Sequence, residues 1–250
     1  MADFFEDVTQ TPRALSEGSC DLPILYRDAS IVGVFWNVDI APAREVLAGA
    51  TIEPWPLLGR AVVAIYAWEY RDSSVGSYGE VGLGIQARRK GSSPSLLRLG
   101  LDMKAQEDQG IWVVSLPVTT RDAYRAGVEI WGYPKYVTPI ETRFHETIHV
   151  RLGDELSLEV APIRGPESVG LPVVTYTEKE GVLLRTVIEV DHRVRWGLGG
   201  GTKLEILGSG RTADAAKALG LADKRPNAVF RTDGFRAKLP AGVALGPIRE

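Results

Sequence analysis

Lysine in water is a poor nucleophile because its amine is protonated; with an ordinary pKa of ~10.4, only a few molecules in ~10⁴ are neutral at pH 7. Among apolar side chains, desolvation disfavours the ammonium and favours the free amine. The run Gly127-Val-Glu129-Ile-Trp131-Gly-Tyr133-Pro134-Lys135-Tyr136-Val137 sets a lysine directly after a proline, in the company of three aromatic rings and aliphatic neighbours. Lowering its pKa by about three units requires roughly 4 kcal/mol of differential solvation and makes the neutral amine a substantial species. Such an amine can add to a ketone and form a Schiff base. The same residues admit a second reading, in which the aliphatic stem of Lys135 lies along the surface and its ammonium stays in water. On composition alone the surface reading is the stronger.

Other candidate chemistry is weaker. His145 and His149 fall four residues apart on an expected strand, on one side and about 13 Å from each other by strand rise, too far to share a metal ion. His192 stands alone, and no metal is expected. Gly208-Ser-Gly210-Arg-Thr-Ala213 follows a strand and opens a helix, with Asp233 beyond, which is formally close to a dinucleotide fingerprint. Only seventeen residues follow Asp233, too few for further parallel strands, and a tight turn between strand and helix is the better account. Gly197-Leu-Gly-Gly-Gly-Thr-Lys203 fails the P-loop spacing, and no Gly-x-Ser-x-Gly elbow exists. Cys20 is the single cysteine, so neither an internal disulfide nor a thiolate zinc site fits. No cofactor is expected.

These residues are carried by 250 positions with 44% hydrophobic and 24% charged residues and a formal net charge of −3, the balance of a globular protein and not of a disordered chain. A slightly acidic chain gives no reason to expect a nucleic acid partner, and Arg88-Arg89-Lys90 reads as a solvated turn. The N-terminus lacks a signal peptide's basic start and apolar stretch, and the longest apolar run, 61–68, is too short to span a bilayer. No membrane partner and a cytoplasmic location are therefore expected. With 27 Gly and 15 Pro the backbone is heavily punctuated, which favours short strands. Strands are expected at 30–38, 61–68, 81–87, 111–118, 142–152, 155–161, 172–176, 182–190, 202–207 and 228–239. Helices are expected at 41–48 after Asp39, at 121–128 after Thr120, and at 212–219 before Gly220. The expectation is a mainly β (α+β) chain, one domain over 1–250, built on an antiparallel β-barrel or sheet with a few short helices.

Glu129-Ile-Trp-Gly-Tyr-Pro-Lys135 resembles the signature of the acetoacetate decarboxylase-like superfamily, in which this segment presents a Schiff-base lysine. Gly76-Ser-Tyr78-Gly-Glu80-Val resembles the family's stretch carrying an active-site acid. Tyr26-Arg27-Asp28 resembles its early substrate-binding arginine, and Gly201-Thr-Lys-Leu-Glu-Ile-Leu207 its late barrel strand. The likeness spans roughly residues 20–240. It implies Lys135 and Glu80 as catalytic groups, and Arg27, Tyr78, Trp131 and Tyr136 as substrate-binding residues. It also implies a small keto-acid substrate and a homo-oligomer, with residues 1–20 flexible or in subunit contact. Two positions depart from the decarboxylase branch: Tyr136 stands where a second lysine follows the nucleophile, and Ile65 where an additional glutamate lies. Tyr136 is a proton donor or a packing residue, and Glu129 a residue that holds the turn aiming Lys135. The activity implied is decarboxylation of a short β-keto acid, the alternative a pyruvate aldolase-dehydratase using the same lysine. A non-catalytic small-carboxylate-binding protein is the reading from a different class.

Overall fold

The computed structural model describes residues 3–92 and 108–246. Seven strands close on themselves. Ala228–Leu239 pairs with Ile24–Val38, then in turn come Arg60–Ser73, Tyr78–Arg89, Gln109–Ser115, Val173–Lys179 and Val182–Asp191. Pairing of Glu189 with Lys238 and of Asp191 with Arg236 returns the last strand to the first. All neighbours are antiparallel except Gln109–Ser115 and Val173–Lys179. The chain is thus a mainly β barrel, and closure leaves these strands without the open edge that invites aggregation. Against it lies a four-stranded antiparallel sheet of Thr202–Ile206, Leu156–Val160, Ile148–Leu152 and Ile140–Phe144.

Three helices are described: α1 (Ile40–Val46), α2 (Arg121–Trp131) and α3 (Arg211–Ala218). The Thr120 side chain accepts from Ala123 N at the start of α2, as its position before the helix predicts. Asp39 lies at the α1 N-cap but its side chain makes no capping bond.

The barrel wall carries apolar residues on both faces. On Ile24–Val38, Val32, Val34, Trp36 and Val38 enter a core shared with the four-stranded sheet, α1 and α3. Tyr26, Ala29 and Ile31 enter a second core shared with Trp131 and Tyr133. A strand alternates its side chains, so one strand can feed two cores, and a register shift between Tyr26 and Ala29 keeps Tyr26 on the face of Ala29 and Ile31. On Arg60–Ser73, Ala61, Val63, Ile65 and Ala67 enter the first core, and Trp68 packs against the second.

The expected strand at 142–152 is two strands joined through 145–147, so His145 lies outside both strands and His149 on Ile148–Leu152. The polar cluster His145-Glu146-Thr147 is the turn signal that the alternation concealed. The first barrel strand begins at Ile24, six residues before its expected start, while Thr11–Ala14, Ser19–Leu22 and Arg193–Leu198 are strands that were not expected. Among the described residues no helix is long and apolar enough to cross a membrane.

Candidate active site

The lysine segment is aimed by what precedes it. Helix α2 stops at Gly132, whose φ of 66° is left-handed, a conformation that favours glycine. Space demands it as well, since an added Cβ would lie 2.8 Å from Glu178 O. Trp131, fully buried, donates from Nε1 to Pro240 O at 2.9 Å, and its carbonyl accepts from Thr177 Oγ1 at 2.6 Å. Beyond this anchor the chain runs extended beside 116–118, with Leu116 N donating to Pro134 O, Val118 N to Tyr136 O and Thr138 N to Val118 O. Extended backbone sends alternate side chains to opposite sides, so Lys135 and Tyr136 diverge. Val118 also bridges Glu80, which brings the two distant segments together.

Lys135 is buried, and its ammonium donates to the equally buried Glu80. Tyr70 donates to the other Glu80 oxygen at 3.5 Å, and Lys135 Nζ stands 5.7 Å from the centre of the Tyr78 ring. The lysine is therefore in aromatic company, as its neighbours suggested, but a carboxylate from another strand faces it. Adjacent to Lys135 is a hollow of about 10 Å³ lined by Ile24, Tyr26, Tyr78, Ala126, Trp131 and Tyr133 among others, room for about one water molecule. The rings of Tyr26, Tyr70 and Tyr78 pack in series at 4.5 and 4.6 Å. Burial pushes all three phenols well above their ordinary pKa, and the Glu80 charge adds to the effect. Tyr133 is pushed up to about 12, again chiefly by burial, and its hydroxyl pairs with Thr175 Oγ1 at 2.8 Å. These are neutral hydroxyls at ordinary pH. No other cationic side chain lines the hollow among the described residues.

Gly127 makes the arrangement possible. It sits inside α2 with the lysine stem across it, and an added Cβ would fall on Lys135 Cε and 2.5 Å from Cδ. Sequence reasoning passed over Gly127, Tyr26, Tyr70 and Tyr133. A glycine interrupting a helix costs about 1 kcal/mol against alanine, and that was the available signal.

Of the residues expected in the site, the structure brings together Lys135, Glu80, Tyr78 and Trp131. It does not bring Arg27, whose half-exposed side chain pairs with Asp72 at 3.4 Å. Because Tyr26 points into the second core, its neighbour faces away. Tyr136 also leaves the hollow; its hydroxyl donates to Glu155 at 2.6 Å and lies 2.8 Å from Thr212 Oγ1. Glu129 does not hold the lysine turn. Its carboxylate accepts from Ser16 N at 2.7 Å and Ser16 Oγ at 2.5 Å, tying down the hairpin of Thr11–Ala14 and Ser19–Leu22. Ile65 is fully buried in the first core.

The glycine-rich turn before α3 is closed to a phosphate. Glu155 accepts from Thr212 N at 2.9 Å and Ala213 N at 3.1 Å, so an internal carboxylate occupies the donors a pyrophosphate needs. Cys20 is buried and free, its thiol pushed up to about 11 by burial and then by Asp21, which keeps it protonated and unreactive. A larger depression of about 330 Å³ lies over charged side chains of the four-stranded sheet, including Arg143, His149, Arg151 and Glu159; it contains no buried nucleophile. Among the described residues no group of three or more His, Cys, Asp or Glu side chains can hold a metal ion.

The fold has solved counterparts. Acetoacetate decarboxylase from Legionella pneumophila shares 15% identity at a TM-score of 0.67, over 94% of this chain and 92% of that one. The enduracididine biosynthesis enzyme MppR shares 14% at 0.64, over 91% and 90%. An acetoacetate decarboxylase-like enzyme from Sphingomonas wittichii shares 13% at 0.62, over 89% and 92%. No curated protein sequence matches the chain. The acetoacetate decarboxylase family model matches residues 10–160, more than half of the chain and inclusive of both Glu80 and Lys135, and the chain belongs to that family.

Proposed function

We propose that the protein is a Schiff-base lyase in which Lys135 condenses with a small keto acid and, from a β-keto acid, releases carbon dioxide. The observation that carries this reading is the buried Lys135 amine, which donates to Glu80 and lines a small hollow walled by aromatic rings.

Glu80 takes a proton from the Lys135 ammonium, which supplies the free amine; this replaces activation by the rings alone, since the amine has an acceptor in place. The amine adds to the ketone carbon, and the carbinolamine oxygen recovers the proton and leaves as water. In the resulting iminium the bond to the carboxylate carbon breaks. Its electron pair enters the enamine double bond as carbon dioxide departs. A proton from solvent, passed through Glu80, quenches the enamine carbon, and water hydrolyses the iminium to restore the amine. One proton is consumed per turnover.

The hollow holds about one water, so a substrate must part Lys135 from Glu80 and displace the surrounding side chains as it binds. Decarboxylation ranks ahead of aldol condensation and dehydration because the family model that matches the chain is that of acetoacetate decarboxylase. The aldol reading draws on the likeness to MppR, a structure of which holds the condensation product of pyruvate and imidazole 4-carboxaldehyde.

Borohydride reduction in the presence of acetoacetate or pyruvate, read by mass spectrometry, should leave an adduct on Lys135. Lys135→Ala should abolish the adduct and carbon dioxide release while leaving the circular dichroism spectrum unchanged. Turnover retained by that variant would remove Lys135 from the mechanism, and no adduct with any keto acid would favour the carboxylate-binding reading. Carbon dioxide from acetoacetate, set against a new chromophore from pyruvate plus an aldehyde, separates the two lyases.

A further inference from the structure

With Arg27 turned outward, a keto acid in the hollow meets no cation other than the lysine that attacks it. What the hollow offers instead is a pair of phenols. Tyr26 and Tyr78 both line it, and their hydroxyl oxygens stand 3.1 Å apart. Two phenols carry two donor protons, and the bond between them uses one. The other has no acceptor among the described residues, in a place where an unsatisfied buried donor is costly. Both rings are held: Tyr70 packs between them, and each is buried. Burial also keeps both phenols neutral, so the pair remains a donor across the ordinary pH range.

Resting on the Schiff-base reading above, we propose that the hydroxyl pair of Tyr26 and Tyr78 is the seat of the substrate's carboxylate, and that it makes the site selective for keto acids over uncharged carbonyl compounds of the same size. A neutral phenol suits this task better than a guanidinium in one respect. Decarboxylation needs the breaking bond held across the plane of the iminium, and it needs the electron pair free to leave. A single hydrogen bond fixes the direction of the carboxylate without the full positive charge that would stabilise it in the ground state. The pair thus orients what a salt bridge would hold back.

The test compares two probes, acetoacetate and acetone, by borohydride trapping at Lys135 in the wild type and in Tyr26→Phe, Tyr78→Phe and the double variant. Phenylalanine keeps each ring, and thermal melting verifies that each variant is folded. The wild type should trap acetoacetate at a concentration at least about tenfold lower than acetone, and the double variant should erase most of that preference, consistent with a lost hydrogen bond to a charged acceptor, while each single variant, whose remaining phenol keeps a free proton, should lower it by less. Acetone trapping should change by less than about twofold, and Arg27→Ala should leave both probes as in the wild type. Undiminished preference in the double variant would overturn the assignment while leaving the Schiff base in place, and so would equal losses for both probes, which would mean that the phenols only support the lysine. If the wild type traps neither probe, the Schiff-base reading itself fails and this assignment falls with it. Should a double variant fail to fold, the two single variants decide the matter: a lowered ratio in either supports the assignment, and an unchanged ratio in both overturns it.

Discussion

Two buried carboxylates flank the Pro134–Tyr136 segment, and they differ in what surrounds them. Glu155 accepts from the Tyr136 hydroxyl, Thr212 N and Ala213 N, three donors fixed by the backbone or by packing. Two of these are free N–H groups at the start of α3, where the helix presents partial positive charge. Glu80 has the Lys135 ammonium and a long bond from Tyr70. Its main donor is a side chain that bends at four bonds and faces a hollow. Burial, charge and hydrogen bonding are thus common to both residues and identify neither as chemical. What separates them is whether the donor can leave. Glu155 cannot release its two backbone donors without unravelling a helix end, whereas Glu80 can exchange a proton with Lys135 in place.

The sharpest way to break this contrast is to neutralise each carboxylate. Glu80→Gln keeps the shape and an acceptor oxygen but cannot take the Lys135 proton, so Lys135 stays buried and the borohydride adduct should form more slowly. Turnover should fall by about 100-fold or more, the usual scale for losing a positioned acid–base group. Parallel losses of turnover, adduct and melting temperature would show that Glu80 is a structural carboxylate like Glu155. Gly127→Ala attacks the other partner. The new methyl occupies the path of the lysine stem, and adduct formation should drop by roughly tenfold to 100-fold, the cost of misplacing a reacting atom. Alanine is a better helix former than glycine by about 1 kcal/mol, so the melting temperature should hold to within a few degrees. Full activity would mean that the lysine reaches its substrate by another path.

How far the sequence disclosed this contrast depends on distance along the chain. Lys135 was legible through the resemblance carried by its contiguous segment, since its apolar neighbours alone favoured a surface lysine, and the barrel because strand alternation and Gly/Pro punctuation are local properties. Tyr78 and Glu80 share a strand two residues apart and followed from their motif. The partners of Glu155 lie 19 and 57 residues away, and no local pattern joins a glutamate after a tight turn to a helix start fifty residues on. Arg27 faces outward for a physical reason. Its strand begins at Ile24, earlier than Gly and Pro punctuation suggested, and strand alternation then hands the inward position to Tyr26. A one-residue difference in register reverses every side chain on a strand, so a site residue carried over by resemblance of three residues at a strand's start does not fix which way its side chain points.

The structural half of the contrast gives smaller effects. Glu155→Ala orphans two buried N–H groups and removes the charged acceptor of the Tyr136 hydroxyl, and should destabilise the fold by roughly 3 kcal/mol. For a chain of this size that lowers the melting temperature by about 6–12 °C. Turnover of the remaining folded protein should stay within about threefold of the wild type. A large loss of turnover at unchanged stability would mean that Glu155 communicates with the hollow.

Tyr136→Phe is the finest test, because Tyr136 and Lys135 are covalent neighbours with side chains on opposite sides. The phenol is pushed up to about 12, first by burial and then by its bond to Glu155, so it is a neutral donor throughout the range in which turnover is measured. Removing it leaves Glu155 with its two backbone donors and leaves Thr212 with Ser115, 2.7 Å away. The loss should be about 1.5 kcal/mol, the lower end for one hydrogen bond to a charged acceptor, or a few degrees in melting temperature. Because Tyr136 titrates far above neutrality and faces away from Glu80, the pH profile of turnover between about pH 6 and 9 should superimpose on that of the wild type. A displaced limb in that profile would show the Tyr136–Glu155 side feeding charge through the segment to Lys135, and the two carboxylates would then form one system instead of two.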